Sequence, residues 1–94
     1  MTLSWSRRAE ANLKSILTHI AKDDPAAAHR LVDQIIDSTE KTLSEHPMAG
    51  RPGRVGGTRE WVAHKRYIVV YRVRNGRVEV IAVRHTSPRW PEVL

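Results

Sequence analysis

Apolar residues recur at helical spacing in the first half of the chain and at strand spacing in the second, and the change falls on a run of glycine and proline. Ala9, Leu13, Ile16, Leu17 and Ile20 lie three or four residues apart and predict an amphipathic helix opened by Ser6 as N-cap. The stripe stops at Lys22-Asp23-Asp24-Pro25, where Asp24 can cap a second helix and Pro25 suits its first position. Ala28, Leu31, Val32, Ile35, Ile36, Thr39 and Leu43 form the inner face of that helix, which is expected to end near His46 because Pro47 follows. So short a joint predicts an antiparallel helical hairpin.

Residues 47–57 hold four of the five glycines and read as a loop. Beyond them, 58–63 and 67–73 read as strands. Asn75-Gly76 predicts a tight hairpin, with 77–85 returning as the partner strand. Leu3 and Trp5 can add a short strand ahead of the first helix. The chain is therefore expected to be one α+β domain, residues 1–94, with an N-terminal helical hairpin on a small antiparallel sheet in the order β-α-α-β-β-β.

Pairing outward from Asn75-Gly76 one residue at a time divides the hairpin into two faces. One carries Val73/Val78, Tyr71/Val80, Val69/Ala82 and Tyr67/Arg84, and is expected to pack on the helices. The other carries Arg74/Arg77, Arg72/Glu79, Val70/Ile81, Ile68/Val83 and Arg66/His85. Its centre is apolar although the helices are committed elsewhere. A partner is therefore expected to cover Ile68, Val70, Ile81 and Val83, with Arg72, Arg74 and Arg77 at the rim.

Composition adds a charge asymmetry. Net charge is +6, and hydrophobic residues make up 40% of the chain. Residues 1–46 carry six Lys/Arg against seven Asp/Glu, whereas 47–94 carry ten against three, and nine of those ten are Arg. Arginine favours planar, bidentate partners, so phosphate or an acidic protein surface is expected. Cysteine is absent, which removes disulfides, zinc knuckles and thiol catalysis. No apolar run suits a membrane span, the first residues lack a secretory pattern, and a cytoplasmic protein is expected. The histidines show no metal spacing, and no phosphate-cradling glycine loop precedes a helix, so neither metal nor cofactor is expected. Gly50-Arg51-Pro52-Gly53-Arg54 reads as a connecting loop rather than a minor-groove hook, because Ala49 stands where the hook has an arginine.

Arg84, His85, Arg89 and Trp90 gather after the last strand, with Arg66 expected beside His85. Cations, an imidazole and an aromatic plane can grip phosphate and a base, or move a proton in RNA cleavage. A basic tail whose Trp90 packs on the sheet edge has the same composition.

The helix hairpin, Gly50-Arg51-Pro52-Gly53, Gly57-Thr58-Arg59-Glu60, the strand from Tyr67 to Val73, and Val83-Arg84-His85 followed by Arg89-Trp90-Pro91 together resemble the RelE/ParE superfamily of bacterial type II toxins. The likeness spans nearly the whole chain. It implies a toxin neutralised by a wrapping, acidic antitoxin, with operator DNA reached only through that antitoxin, and roles in growth arrest and plasmid stabilisation. RelE-like members cut messenger RNA on the ribosome, whereas ParE-like members inhibit DNA gyrase. In the cutting branch the central strand resembles Tyr-Arg-Leu-Val-Tyr, with its Arg facing the scissile phosphate; here that position is Ile68. The departure favours the gyrase-inhibiting branch, with Arg66, Arg84, His85, Arg89 and Trp90 as target-binding residues. A nuclease would have to rely on His85, Arg84, Lys65 and Arg66.

Overall fold

The computed structural model describes residues 1–87. It contains β1 (Thr2–Trp5), α1 (Arg7–Ala21), α2 (Pro25–Glu45), β2 (Arg51–Pro52), β3 (Arg59–His64), β4 (Tyr67–Arg74) and β5 (Arg77–His85). Both helix starts follow from their caps. Ser6 Oγ accepts from Ala9 N–H at 3.0 Å, Asp24 Oδ1 accepts from Ala27 N–H at 3.1 Å, and Pro25 occupies the first turn of α2.

The strands form one sheet in the order β1-β5-β4-β3-β2, with the helical hairpin on one side. The sheet is mixed rather than antiparallel throughout, because β1 runs parallel to β5, pairing Leu3 with Val78 and Trp5 with Val80. Within the expected loop, Arg51 and Pro52 form a two-residue edge strand against Arg59 and Glu60. Asn75 (φ 53°) and Gly76 (φ 72°) make the predicted tight turn.

The core joins Ala9, Leu13 and Ile16 of α1, Val32, Ile35 and Leu43 of α2, and Tyr67, Val69, Tyr71, Val78, Val80 and Val83 of the sheet. Trp5 Nε1 donates to Glu40 at 3.0 Å and fastens α2 to the edge strand. Tyr71 crosses the core to tie down the segment after α2: its hydroxyl donates to Pro47 O (2.7 Å) and accepts from Gly50 N–H (2.9 Å). A Cβ on Gly50 would come within 2.7 Å of both that hydroxyl and Glu60 O, so the close approach requires glycine.

One part of the expected hairpin register is corrected. Pairing proceeds as expected from Arg74/Arg77 to Tyr71/Val80, then slips, so that Val70 faces Ala82, Val69 faces Val83, Ile68 faces Arg84 and Tyr67 faces His85. Ile81 is the extra residue of a β-bulge. Every residue of β5 after it therefore sits on the face opposite to the one simple alternation predicts. Val83 (1% exposed) belongs to the helix-covered core, and Ala82 and Arg84 move to the outer face.

The bulge has an identifiable support. Strand β1 ends at Trp5, so from Ile81 onward the edge of β5 has no neighbouring strand among the described residues, and α1 passes there instead. Ser6 Oγ donates to Ile81 O at 2.8 Å, and the buried Asn12 Oδ1 accepts from Val83 N–H at 2.9 Å. Two helix side chains thus satisfy backbone groups that a longer β1 would otherwise have paired.

Candidate functional site on the outer sheet face

Strand alternation leaves Glu60 and Val62 of β3, Ile68, Val70, Arg72 and Arg74 of β4, and Arg77, Glu79, Ala82 and Arg84 of β5 facing away from the helices. Cross-strand partners define two rows: Glu60, Val70 and Ala82, then Val62, Ile68 and Arg84. Ile68 is 5% exposed and Ala82 6%, whereas Val62 is 50% exposed.

Glu60, 6% exposed, is the hub of this face. Arg84 Nη2 donates to its Oε1 at 3.2 Å, Arg51 Nη2 reaches the same oxygen at 3.5 Å, and the Arg54 N–H donates to Oε2 at 3.2 Å. Burial pushes the carboxyl upward, but the Arg54 N–H, the Arg84 charge and the Arg51 hydrogen bond outweigh it, and Glu60 titrates below its ordinary value. Arg84 lies two strands from Glu60, so its side chain reaches across β4 to make that contact. At the hairpin end Arg72 Nε donates to Glu79 Oε1 at 2.6 Å, and Arg74 approaches the same oxygen at 3.6 Å. The Arg72 hydrogen bond is the main reason that Glu79, too, titrates below its ordinary value.

The residues expected to cluster after the last strand do not form one site. Arg84 belongs to the outer face, and His85 turns to the opposite one, where its ring meets Tyr67 edge-on at 5.1 Å. Tyr67 and His85 line a cleft of about 310 Å³ with His64, Arg66, His19, Asp23 and Asp24, at the end of the sheet beside the helix joint. Ser87 N–H donates to His85 Nδ1 at 2.9 Å. Burial pushes the Tyr67 hydroxyl up, against the opposing charge of Arg66. Lys65 sits with Arg66 in the β3–β4 turn and does not line the cleft. Arg89 and Trp90 lie outside the described residues. Ile81 lines a second cleft, of about 330 Å³, with Ser4, Trp5, Ser6, Arg72, Glu79 and Val80. Among the described residues no group of acidic or histidine side chains could hold a metal ion, and no helix is long and apolar enough to cross a membrane.

Glu60 is the residue of this face that pattern reasoning passed over. Its signal was present: it is one of only three acidic residues in the basic half, placed between strand residues that point inward.

A helical hairpin on a five-stranded mixed sheet, whose uncovered face is apolar in the middle and arginine-rich around it, is the build of a small RelE/ParE-type toxin. Residues 3–90 match the family model described as the ParE toxin of the type II toxin–antitoxin system parDE, and the chain belongs to that family. It is 43% identical over 93 residues to toxin Y4kP of Sinorhizobium fredii, covering 98% of this chain and 95% of that one. It is 31% identical over 83 residues to toxin RelE2 of Caulobacter vibrioides, covering 88% and 92% respectively. Among solved structures, one from the chromosomal ParDE toxin–antitoxin system of P. aeruginosa superposes with a TM-score of 0.82 at 26% identity, covering 93% of this chain and 97% of that one.

Proposed function

We propose that this type II toxin arrests growth in the bacterial cytoplasm by binding DNA gyrase, without cutting RNA, and that a cognate acidic antitoxin neutralises it. The observation that carries the reading is the row Val62, Ile68 and Arg84. Metal-independent RNA cleavage needs a cation held against the phosphate in the transition state. Two of the three side chains in this row are aliphatic, and Ile68 at its centre carries no charge. Inhibition by binding asks only for a complementary surface with arginine and aromatic anchors. Arg84, Arg66 and His85, with Arg89 and Trp90, are the proposed target-binding set.

The antitoxin is assigned to the outer face at Ile68 and Val70, with Arg72, Arg74 and Arg77 at its rim and Ile81 at the adjoining cleft. Val83 drops out of this surface because the helices bury it. A second reading, ribosome-dependent RNA cleavage, draws on the cleft that gathers His85, Arg66 and Tyr67. A DNA supercoiling assay run beside ribosome-coupled messenger cleavage separates the two. Loss of supercoiling with intact messenger is expected. Codon-dependent cuts that vanish in His85→Ala, with supercoiling untouched, would establish the nuclease instead.

A further inference from the structure

The outer face holds two arginine groups of similar make-up. Arg51, Arg54 and Arg84 surround Glu60 at one end, and Arg72, Arg74 and Arg77 surround Glu79 at the other. Val70 and Ala82, level with Glu60, and Ile68, level with Arg84, make the middle of the face apolar. The groups differ in how firmly they are set. Around Glu79 the side chains of Arg72 and Arg74 are 42% and 57% exposed, so that group is partly solvated. Around Glu60 the carboxylate is buried, Arg84 is only 19% exposed and both carboxylate oxygens are used, while the Arg51 side chain is 65% exposed.

We propose that Glu60 is the positioning residue of this face, holding Arg84 and the turn at Arg54, with Arg51 beside them, in an array that grips the carboxylates of an extended acidic segment from a protein partner. This rests on the toxin–antitoxin reading and adds to it the chemistry of the segment: carboxylates alternating with apolar side chains. Three arginines against one carboxylate leave each end with surplus positive charge, so an acidic segment complements both ends without displacing the internal glutamates. The Arg84 guanidinium, already held by Glu60 and only 19% exposed, loses less side-chain freedom on binding than an unconstrained arginine would. A purely electrostatic face predicts the opposite effect of neutralising Glu60, since removing a negative charge would strengthen its hold on any polyanion.

The test uses the full chain and a fluorescent 12-residue peptide alternating Glu and Leu, with a Gln/Leu peptide and a 12-nucleotide single-stranded RNA as comparators, read by anisotropy across a salt series. The Glu/Leu peptide is expected to bind with salt-sensitive affinity, and neither comparator is expected to match it. Glu60→Gln should weaken binding roughly fivefold despite raising the net charge, Glu60→Asp should recover part of the loss, and Arg72→Glu with Arg74→Glu should weaken it roughly tenfold or more. Should Glu60→Gln fail to fold, Arg84→Gln takes its place and should also weaken binding roughly fivefold. Tighter binding by Glu60→Gln, unchanged binding by the substituted arginines, or stronger binding of the RNA than of the peptide would each overturn the proposal. Growth rescue by co-expressing an acidic protein encoded next to the toxin gene tests the toxin–antitoxin reading alone. Rescue combined with any of those binding results sinks the role of Glu60 and leaves that reading intact.

Discussion

The two faces of β4 and β5 are built from alternating residues of the same two strands, yet they are shielded in different ways. On the inner face Tyr67, Val69 and Tyr71 are at most 2% exposed, and what covers them is the helical hairpin. On the outer face Ile68, Ala82 and Glu60 are 5–6% exposed, but among the described residues no helix packs on that side. There the Arg84 side chain reaches across β4, held by an ion pair. Low exposure therefore has two meanings in this molecule. The inner cover leaves only when the protein unfolds, whereas the outer one can be rearranged by turning side chains.

Neighbouring substitutions break the comparison most sharply. Val69→Asp would strand a charge beneath the helices, costing about 4–5 kcal/mol or more and leaving no cooperative thermal transition. Ile68→Asp, one residue away, points into an arginine-rich face and should cost less than about half as much, with the transition retained. Equal losses would show that the two faces are buried alike. Asn12→Ala tests the helix support of the bulge. It leaves the buried Val83 N–H without its acceptor, at about 1–3 kcal/mol, which lowers the melting temperature by about 4–8 °C for each kcal/mol.

The acid limb of the stability curve sharpens the outer side. Glu60 and Glu79 titrate below their ordinary values in the folded chain, so the unfolded chain takes up protons first. The stability they contribute is fully present above the usual carboxylate range and is lost as pH falls through their folded-state values. Glu60→Gln should therefore differ most from the parent protein near neutral pH and converge on it in acid, as urea denaturation at several pH values would show. The smallest effect belongs to Arg72→Ala. Its ion pair is largely solvated, so the loss in urea denaturation should be small and smaller still in high salt.

Helices, hairpin turn and long strands were legible because each has a local cause: Ser6 and Asp24 as caps, Pro25 at a helix start, Asn75-Gly76 at the turn, and apolar stripes of period 3.6 or 2. The expected surface was legible only as far as local pairing carried it. Ile68, Val70, Arg72, Arg74 and Arg77 lie on the outer face as expected, all on β4 or before the bulge in β5. Val83, Arg84 and His85 come after it, and their faces depend on a hydrogen bond from Ser6 and another accepted by Asn12, more than seventy residues away in sequence. No window along β5 contains that information. Glu60 was hidden for a related reason: its arginine partners come from β2, the following turn and β5, and only the assembled sheet brings them together.

The extra residue at Ile81 also acts as a frame marker for comparing relatives. Counted from the hairpin turn, a cation at position 84 falls on the helix side; counted from the strand's far end, it falls on the solvent side. A relative without the extra residue would need its cation one position earlier to present it to the same partner. Two sequences that look shifted by one in this strand can thus display the same surface, and two that look perfectly aligned can display opposite ones. Aligning β5 backward from His85, instead of forward from the turn, shows which residues a partner meets.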